Sequence, residues 1–83
     1  MDKTIILGIK LENRVQIAVD FQNIVTKYGC NIKTRLGLHP VSEGLCSPSG
    51  VVLLELIGDK AILDELEAEL RTLSGADIQK MTF

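Results

Sequence analysis

The stretch Val51–Asp59, VVLLELIGD, decides the predicted fold because a strand ends and a helix begins within it. The aliphatic and partly β-branched run Val51–Ile57 is typical of a strand. Gly58 ends this run, and Asp59 has a short polar side chain that can cap the first turn of a following helix. The stretch therefore predicts a strand that leads directly into a helix.

Beyond Asp59, apolar residues recur at helical spacing as far as Ser74. Charged residues face the other side, and Glu67 and Arg71 have the favourable i, i+4 spacing. Gly75 ends this second predicted helix, and Ala76–Phe83 follows as a weaker strand. The residues predicted to face the core are Ile62, Leu63, Leu66, Leu70 and Leu73.

The N-terminal half has the same pattern. Thr4–Leu11 and Asn31–Leu38 alternate with a period of two, which is typical of strands. Between them, Arg14–Tyr28 has apolar residues at helical spacing, with Asn13 as the predicted N-cap. In the second strand, the alternation predicts one side with Ile32, Leu36 and Leu38 and an opposite side with Lys33, Arg35 and Gly37.

The element order is strand, helix, strand, strand, helix, strand, so two βαβ units lie end to end. Right-handed crossovers would place both helices on one face of one sheet, with the first and third strands in the centre. The sequence therefore predicts an α+β class, ferredoxin-like βαββαβ fold with an antiparallel four-stranded sheet. At 83 residues, we expect residues 1–83 to form a single domain.

Charge and hydropathy exclude several classes of protein. The net charge of −2 gives no general attraction to phosphate, so we expect no direct nucleic-acid binding. The longest apolar runs, Ile5–Leu7 and Val51–Leu54, are far shorter than the roughly 20 residues that span a bilayer. Two Cys residues without an export signal favour free thiols in a reducing cytoplasm.

Catalytic signatures are also missing from the sequence. There is one His, and the carboxylates concentrate on the second helix, where a solvated face explains them. No glycine-rich phosphate-binding motif occurs. RNA-recognition modules of this topology stack bases on aromatic residues in central strands, where this chain has Ile, Leu and Val. We therefore expect a non-enzymatic protein without a bound organic cofactor.

The third strand has too many apolar residues for a sheet with one face open to solvent. If Val52, Leu54 and Leu56 face the helices, then the residues between them face solvent. Polar residues are normal at such solvent-facing positions of a sheet. An open apolar patch usually marks a partner surface, so we predict a homo-oligomer. The alternative is a register shifted by one residue, with the strand buried on both sides. The predicted oligomer face consists of Ile6, Val51, Leu53 and Ile57.

The segment His39–Gly50 is the longest predicted loop and contains both prolines. His39, Glu43 and Cys46 share it, and all three residue types can bind a transition metal. The alternative is an exposed His and an ordinary Cys, since no paired CxxC or HxH spacing occurs. The predicted effector or partner loop comprises Arg35, Gly37, His39, Glu43, Cys46 and Gly50.

Lys33 and Arg35, with Lys27 nearby in the sequence, form a predicted basic patch. Such a patch could bind an anionic ligand. The alternative is a charged edge strand that discourages aggregation. The sequence alone leaves both interpretations open.

Short segments, by their order and spacing along nearly the whole chain, resemble a known family, the ACT-like iron-only hydrogenase system regulators. The segments that carry the resemblance are Asn23-Ile24, Tyr28-Gly29, Arg35-Leu36-Gly37-Leu38, Gly50, Gly58, Leu73-Ser74-Gly75-Ala76, Ile78 and Lys80. The resemblance implies an oligomeric regulatory domain that acts in transcription or maturation around hydrogenase operons. It also implies hydrogenase maturation or regulatory proteins as partners, and it brings no catalytic residues.

A more distant resemblance is to the C-terminal domain of the nickel-responsive regulator, in which a His and a Cys bind metal between subunits. His39 and Cys46 lie in the comparable region, whereas the further His ligands of that family have no match. The leading hypothesis is thus a regulatory module that binds a small effector or a partner protein. The alternative is a nickel-type metal sensor using His39 and Cys46.

Overall fold

The structure, a computed structural model, describes residues 4–11, 15–38, 41–42, 45–46 and 50–83. The described elements, in chain order, are β1 (Ile5–Leu11), α1 (Val15–Lys27), a 3₁₀ turn (Gly29–Asn31), β2 (Ile32–Leu38), β3 (Val41–Ser42), β4 (Leu45–Cys46), β5 (Gly50–Leu56), α2 (Lys60–Arg71) and β6 (Ala76–Thr82).

The four long strands form one antiparallel sheet in the order β2-β5-β1-β6. The two strands predicted to be central, β1 and β5, are central. Buried side chains of both helices join those of one sheet face in a single core, so both helices cover the same face. The predicted ferredoxin-like βαββαβ fold is therefore confirmed.

The sequence Val51–Asp59 forms the predicted strand end and helix start. Asp59 Oδ1 accepts a hydrogen bond from the Ala61 backbone N–H at 3.2 Å, which caps α2. Gly58 has a φ of +121°, and a Cβ there would lie 2.5 Å from the Asn31 side-chain nitrogen. Only glycine fits this turn without strain.

The prediction for the inward face of α2 was partly wrong. Leu63, Leu66 and Leu70 are buried, but Ile62 is 37% exposed. A helix turns about 100° per residue, so Ile62 lies one such step away from Leu63 and off the buried stripe. Leu73, which follows the helix, is partly buried against the core.

The segment predicted as one long loop also contains a short hairpin. Val41 is paired with Cys46, and Ser42 with Leu45. Two residues separate these strands, a spacing typical of a tight hairpin connection. The two prolines of this segment favoured an unpaired loop. Both lie outside the four paired residues, so they do not interrupt the pairing.

A β-bulge in β2 contradicts the prediction that Ile32, Leu36 and Leu38 share one side. Ile32 is opposite Leu56, whereas Thr34 is opposite the adjacent residue Glu55, which leaves Lys33 as the extra residue. One extra residue shifts a strand of period two onto its other face. Ile32 therefore packs against the core, while the two leucines beyond the bulge lie on the face away from the helices.

The same bulge places Arg35 and Gly37 on the face that the helices cover. They are paired with Leu54 and Val52, which belong to the face that the helices cover. A charged side chain is thereby placed under α1, beside the sheet edge. This placement connects the fold to the candidate functional site.

Candidate functional site

Half of the residues on the sheet face away from the helices are large apolar residues, and no described element covers this face. The register places Ile6 opposite Met81, and Leu53 opposite both Leu36 and Gly8. Val51 is opposite Leu38. We call this surface the apolar sheet face and define it by Ile6, Leu36, Leu38, Val51, Leu53 and Met81.

Leu53 lies at the centre of the apolar sheet face. A Cβ at Gly8 would be 3.5 Å from Leu53 Cδ2, so the leucine side chain lies across the glycine. On its other side is Leu36, which is 50% exposed. These residues form a continuous surface across neighbouring strands, as an interface between subunits requires.

Three of the four residues of the predicted oligomer face lie on this surface, namely Ile6, Val51 and Leu53. Ile57 follows the end of β5 and is half exposed. Sequence reasoning missed Leu36 and Leu38, because the bulge changes their side. It also missed Met81, whose position depends on the register between β6 and β1.

Polar groups lie beside the apolar sheet face at the Glu55 end. Thr34 Oγ1 donates a hydrogen bond to Glu55 Oε1 at 2.9 Å, and Lys33 Nζ lies 3.9 Å from Glu55 Oε2. At the other end of the sheet, Lys10 is opposite Asp77. An apolar centre with a polar rim is the usual anatomy of a protein interface.

A second feature is a cavity of about 200 Å³ between α1 and the sheet, where β2 ends and β5 begins. We call it the Arg35 cavity. Its walls are mostly aliphatic, with one aromatic ring, one amide and one guanidinium. The lining residues are Leu11, Ala18, Phe21, Gln22, Arg35, Leu38, Gly50, Val51 and Val52.

The Arg35 side chain is held in place from two directions. Its Nη1 donates a hydrogen bond to Gln22 Oε1 at 3.0 Å, and its guanidinium carbon lies 5.7 Å from the centre of the Phe21 ring. Gln22 in turn donates to Thr26 Oγ1 at 3.4 Å. Phe21 is almost fully buried, so the ring offers a fixed surface to the guanidinium.

The structure brings together two residues of the predicted effector loop, Arg35 and Gly50, which both line the cavity. Gly37 lies next to it, paired with the lining residue Val52. His39, Glu43 and the Cys46 side chain lie outside the described residues. Phe21 and Gln22 were missed because α1 is far from the loop in sequence, and Val52 was predicted only as a strand residue facing the helices.

Metal binding through His39 and Cys46 stays a prediction. In the described part of the chain, no group of three or more His, Cys, Asp or Glu side chains could hold a metal ion. Cys30, which is described, is an exposed free thiol.

The predicted basic patch does not act as one surface. Lys27 Nζ lies 3.2 and 3.0 Å from the two carboxylate oxygens of Glu69, and Lys33 is near Glu55. Both lysines are thus paired with carboxylates. Arg35 instead contacts an amide and an aromatic ring, so its charge is the one directed at the cavity.

The pair between Lys27 and Glu69 belongs to a clamp that joins the end of α1 to α2. The Tyr28 hydroxyl also donates a hydrogen bond to Glu69 Oε2. These hydrogen bonds, first from Tyr28 and then from Lys27, lower the pKa of Glu69 below its ordinary value. The same contacts raise the pKa values of Lys27 and Tyr28.

We expect the clamp to make the free energy of unfolding depend on pH in the acid range. A carboxylate with a lowered pKa in the folded state stabilises it above the ordinary Glu pKa of about 4.3, and this stabilisation is lost as pH falls through the lowered value. Glu69→Gln should therefore lower the urea midpoint at pH 7 and show a shallower fall in acid. Urea unfolding from pH 7 to pH 2.5 measures both.

Glu65→Gln, on the same helix and exposed, is the matched control; Glu65 makes no hydrogen bond to Lys27 or Tyr28 and acts on them only through its charge, so this variant should stay much closer to the wild type than Glu69→Gln. Glu67 also has a lowered pKa, because of Lys80 and Arg71, so some acid dependence will remain in every variant. If the urea midpoints of Glu69→Gln and the wild type changed with pH in parallel, the clamp would not stabilise the fold as proposed.

Searches among known proteins found similar solved structures, and these agree on the architecture. An uncharacterized protein from Thermotoga maritima aligns over 99% of both chains with a TM-score of 0.81 and 23% identity. A dimeric ferredoxin-like protein from an uncultured marine organism aligns over 98% of this chain and 92% of its own, with a TM-score of 0.50 and 14% identity. The chain has a ferredoxin-like fold.

The same fold occurs as a part of a larger protein. A formyltetrahydrofolate deformylase from Pseudomonas putida matches 96% of this chain over 28% of its own length, with a TM-score of 0.52 and 10% identity. No protein-family model and no curated protein matched the sequence. Among the described helices, none has the length and apolar character needed to cross a membrane.

Proposed function

We propose that this chain is a non-enzymatic regulatory module that assembles into a homo-oligomer through the apolar sheet face. The observation that carries the proposal is the set of aliphatic side chains on a face that no described element covers. Leu36, Leu38 and Met81 are each about half exposed there, which is unusual for a soluble monomer. A second copy of the chain offers the same face and would bury both.

Two further observations support this proposal. The neighbour from the marine organism has the same fold and is described as dimeric. The described groups with shifted pKa values take part in ion pairs and hydrogen bonds that join surface elements, such as Lys27 with Glu69 and Lys80 with Glu67. Pairs of this kind stabilise a fold, so these described groups have a structural role.

The regulated process is proposed from the sequence resemblance to the ACT-like iron-only hydrogenase system regulators. The module would act in the cytoplasm on hydrogenase expression or maturation, through a small effector or a partner protein. Its effector site would be the region around the end of β2, where Arg35 and Gly50 meet in the cavity.

Light scattering coupled to size-exclusion chromatography tests the assembly. We expect a mass that is a multiple of the 9.1 kDa chain at micromolar concentration. A single species of 9.1 kDa would contradict the oligomer.

A genetic experiment tests the process. In a hydrogenase-producing bacterium, deletion of the gene should change hydrogenase transcript levels or activity, and the wild-type gene should restore them. A gene carrying Leu53→Glu, which disrupts the apolar sheet face, should fail to restore them. Unchanged transcripts and activity after deletion would remove the hydrogenase assignment.

A further inference from the structure

We propose that the Arg35 cavity binds a small aliphatic monocarboxylate, with Arg35 holding the carboxylate and aliphatic side chains of the wall contacting the hydrocarbon. This inference rests on the proposed function, because it assigns a chemical class to the effector of the regulatory module. The argument combines the bulge, the orientation of the guanidinium and the composition of the walls.

The bulge at Lys33 is what places a cation beside this cavity. Without the extra residue, the alternation that begins at Ile32 would place Leu36 on the helix face and Arg35 on the open face. Bulges often redirect a side chain next to a functional site. Here the redirected side chain is the charged residue that lines the cavity.

The guanidinium is oriented before any ligand arrives. Its Nη1 donates a hydrogen bond to Gln22, and its central carbon, Cζ, lies near the Phe21 ring. These two contacts restrict the rotation of the guanidinium. A guanidinium has five N–H donors, and the bond to Gln22 uses one of them. A carboxylate matches the fork of the remaining donors and can accept two parallel hydrogen bonds.

The rest of the wall favours a short hydrocarbon. Leu11, Ala18 and Val52 contribute aliphatic surface, and Gly50 contributes backbone without a side chain. A volume of about 200 Å³ is below the roughly 300–1,000 Å³ of sites for drug-sized molecules. The cavity therefore suits a small metabolite.

The charges distinguish a simple carboxylate from other anions. Among the described lining residues, Arg35 is the one charged side chain. A phosphate ester carries more negative charge and an amino acid adds an ammonium, and the described lining offers neither of them a further charged partner. A monocarboxylic acid is balanced by one guanidinium.

Nuclear magnetic resonance of the isotope-labelled full chain, titrated with sodium isovalerate, tests the proposal. We expect saturable shifts of the backbone amides of Arg35, Gly50 and Val52. Isovaleramide has the same shape without the charge, and leucine adds an ammonium. Each should bind about tenfold more weakly or worse, because charge-assisted hydrogen bonds are lost or an ammonium is left unpaired.

The decisive variant is Arg35→Met, which keeps an unbranched side chain and removes the charge. It should abolish saturable binding, whereas Lys60→Met, which removes a cation from an exposed position on α2 outside the lining of the cavity, should bind as the wild type does. Ala18→Leu keeps Arg35 and fills part of the cavity, and it should also abolish binding. Circular dichroism checks that each variant is folded.

Several results would overturn the inference. Wild-type affinity in Arg35→Met, equal binding of isovaleramide, or tighter binding of leucine than isovalerate would each do so. Absence of saturable shifts in a wild-type protein that light scattering shows to be oligomeric would overturn this inference and leave the assembly intact. A monomer that binds isovalerate would instead contradict the assembly and support the site.

Discussion

We expect Leu53→Glu to convert the proposed oligomer into a folded monomer. Leu53 is at the centre of the apolar sheet face, between Gly8 and Leu36, so a self-association through this face would bury the new carboxylate in both copies. Burial of an unpaired charge costs several kcal/mol, which corresponds to at least about a hundredfold weaker association. In a monomer the side chain faces solvent, so the fold should persist.

Light scattering gives the mass of the Leu53→Glu variant, and circular dichroism shows whether it is folded. The matched control is Ile62→Glu, which adds the same charge at a partly exposed apolar position on α2, in the helix layer. This control should remain oligomeric. Leu36→Glu, at a half-exposed position on the edge strand β2, is a second test of the face.

The opposite pattern would identify a different interface. If Ile62→Glu dissociated the assembly and both sheet-face variants left it intact, the helix layer would be the contact surface. The proposal that the apolar sheet face carries the assembly would then be wrong.

Much of the fold could be predicted because its signals are local. The aliphatic run of β5 and the Asp59 cap depend on residues close together in the sequence, and so does the Gly58 turn. Their order left few allowed topologies once right-handed crossovers were assumed. The central position of β1 and β5 followed from that order.

The bulge could not be predicted in the same way. It is a property of the pairing between β2 and β5, and the alternation of β2 alone does not show it. As a result, Leu36 and Leu38 were grouped with Ile32, although they lie on opposite faces. The actual open face is more apolar than the sequence indicated.

The candidate site was predicted in part for a similar reason. Arg35 and Gly50 were both assigned to the effector loop because they flank it, and the ends of β2 and β5 bring them together. Phe21 is one of the apolar residues of the predicted first helix, and its contact with the Arg35 guanidinium depends on the bulge. To predict contacts between elements that are distant in sequence, the pairing register of the strands is needed as well as the pattern of apolar residues.

The largest loss of stability should come from Leu66→Ala. Leu66 is fully buried in the core that α2 shares with the sheet, and a Leu→Ala change at such a site costs about 2–5 kcal/mol. For a domain of this size, each 1 kcal/mol lowers the melting temperature by about 4–8 °C. We expect a fall of at least about 10 °C, measured by thermal unfolding at a fixed protein concentration.

Ile62→Ala is the matched control, because Ile62 lies one turn earlier on the same helix and is 37% exposed. This change leaves the buried stripe of α2 intact and should cost about 1 kcal/mol or less. Equal losses at the two positions would mean that α2 packs with a different face toward the sheet. A near-neutral Leu66→Ala would contradict the core itself, since the cavity left by the missing side chain has no route to solvent.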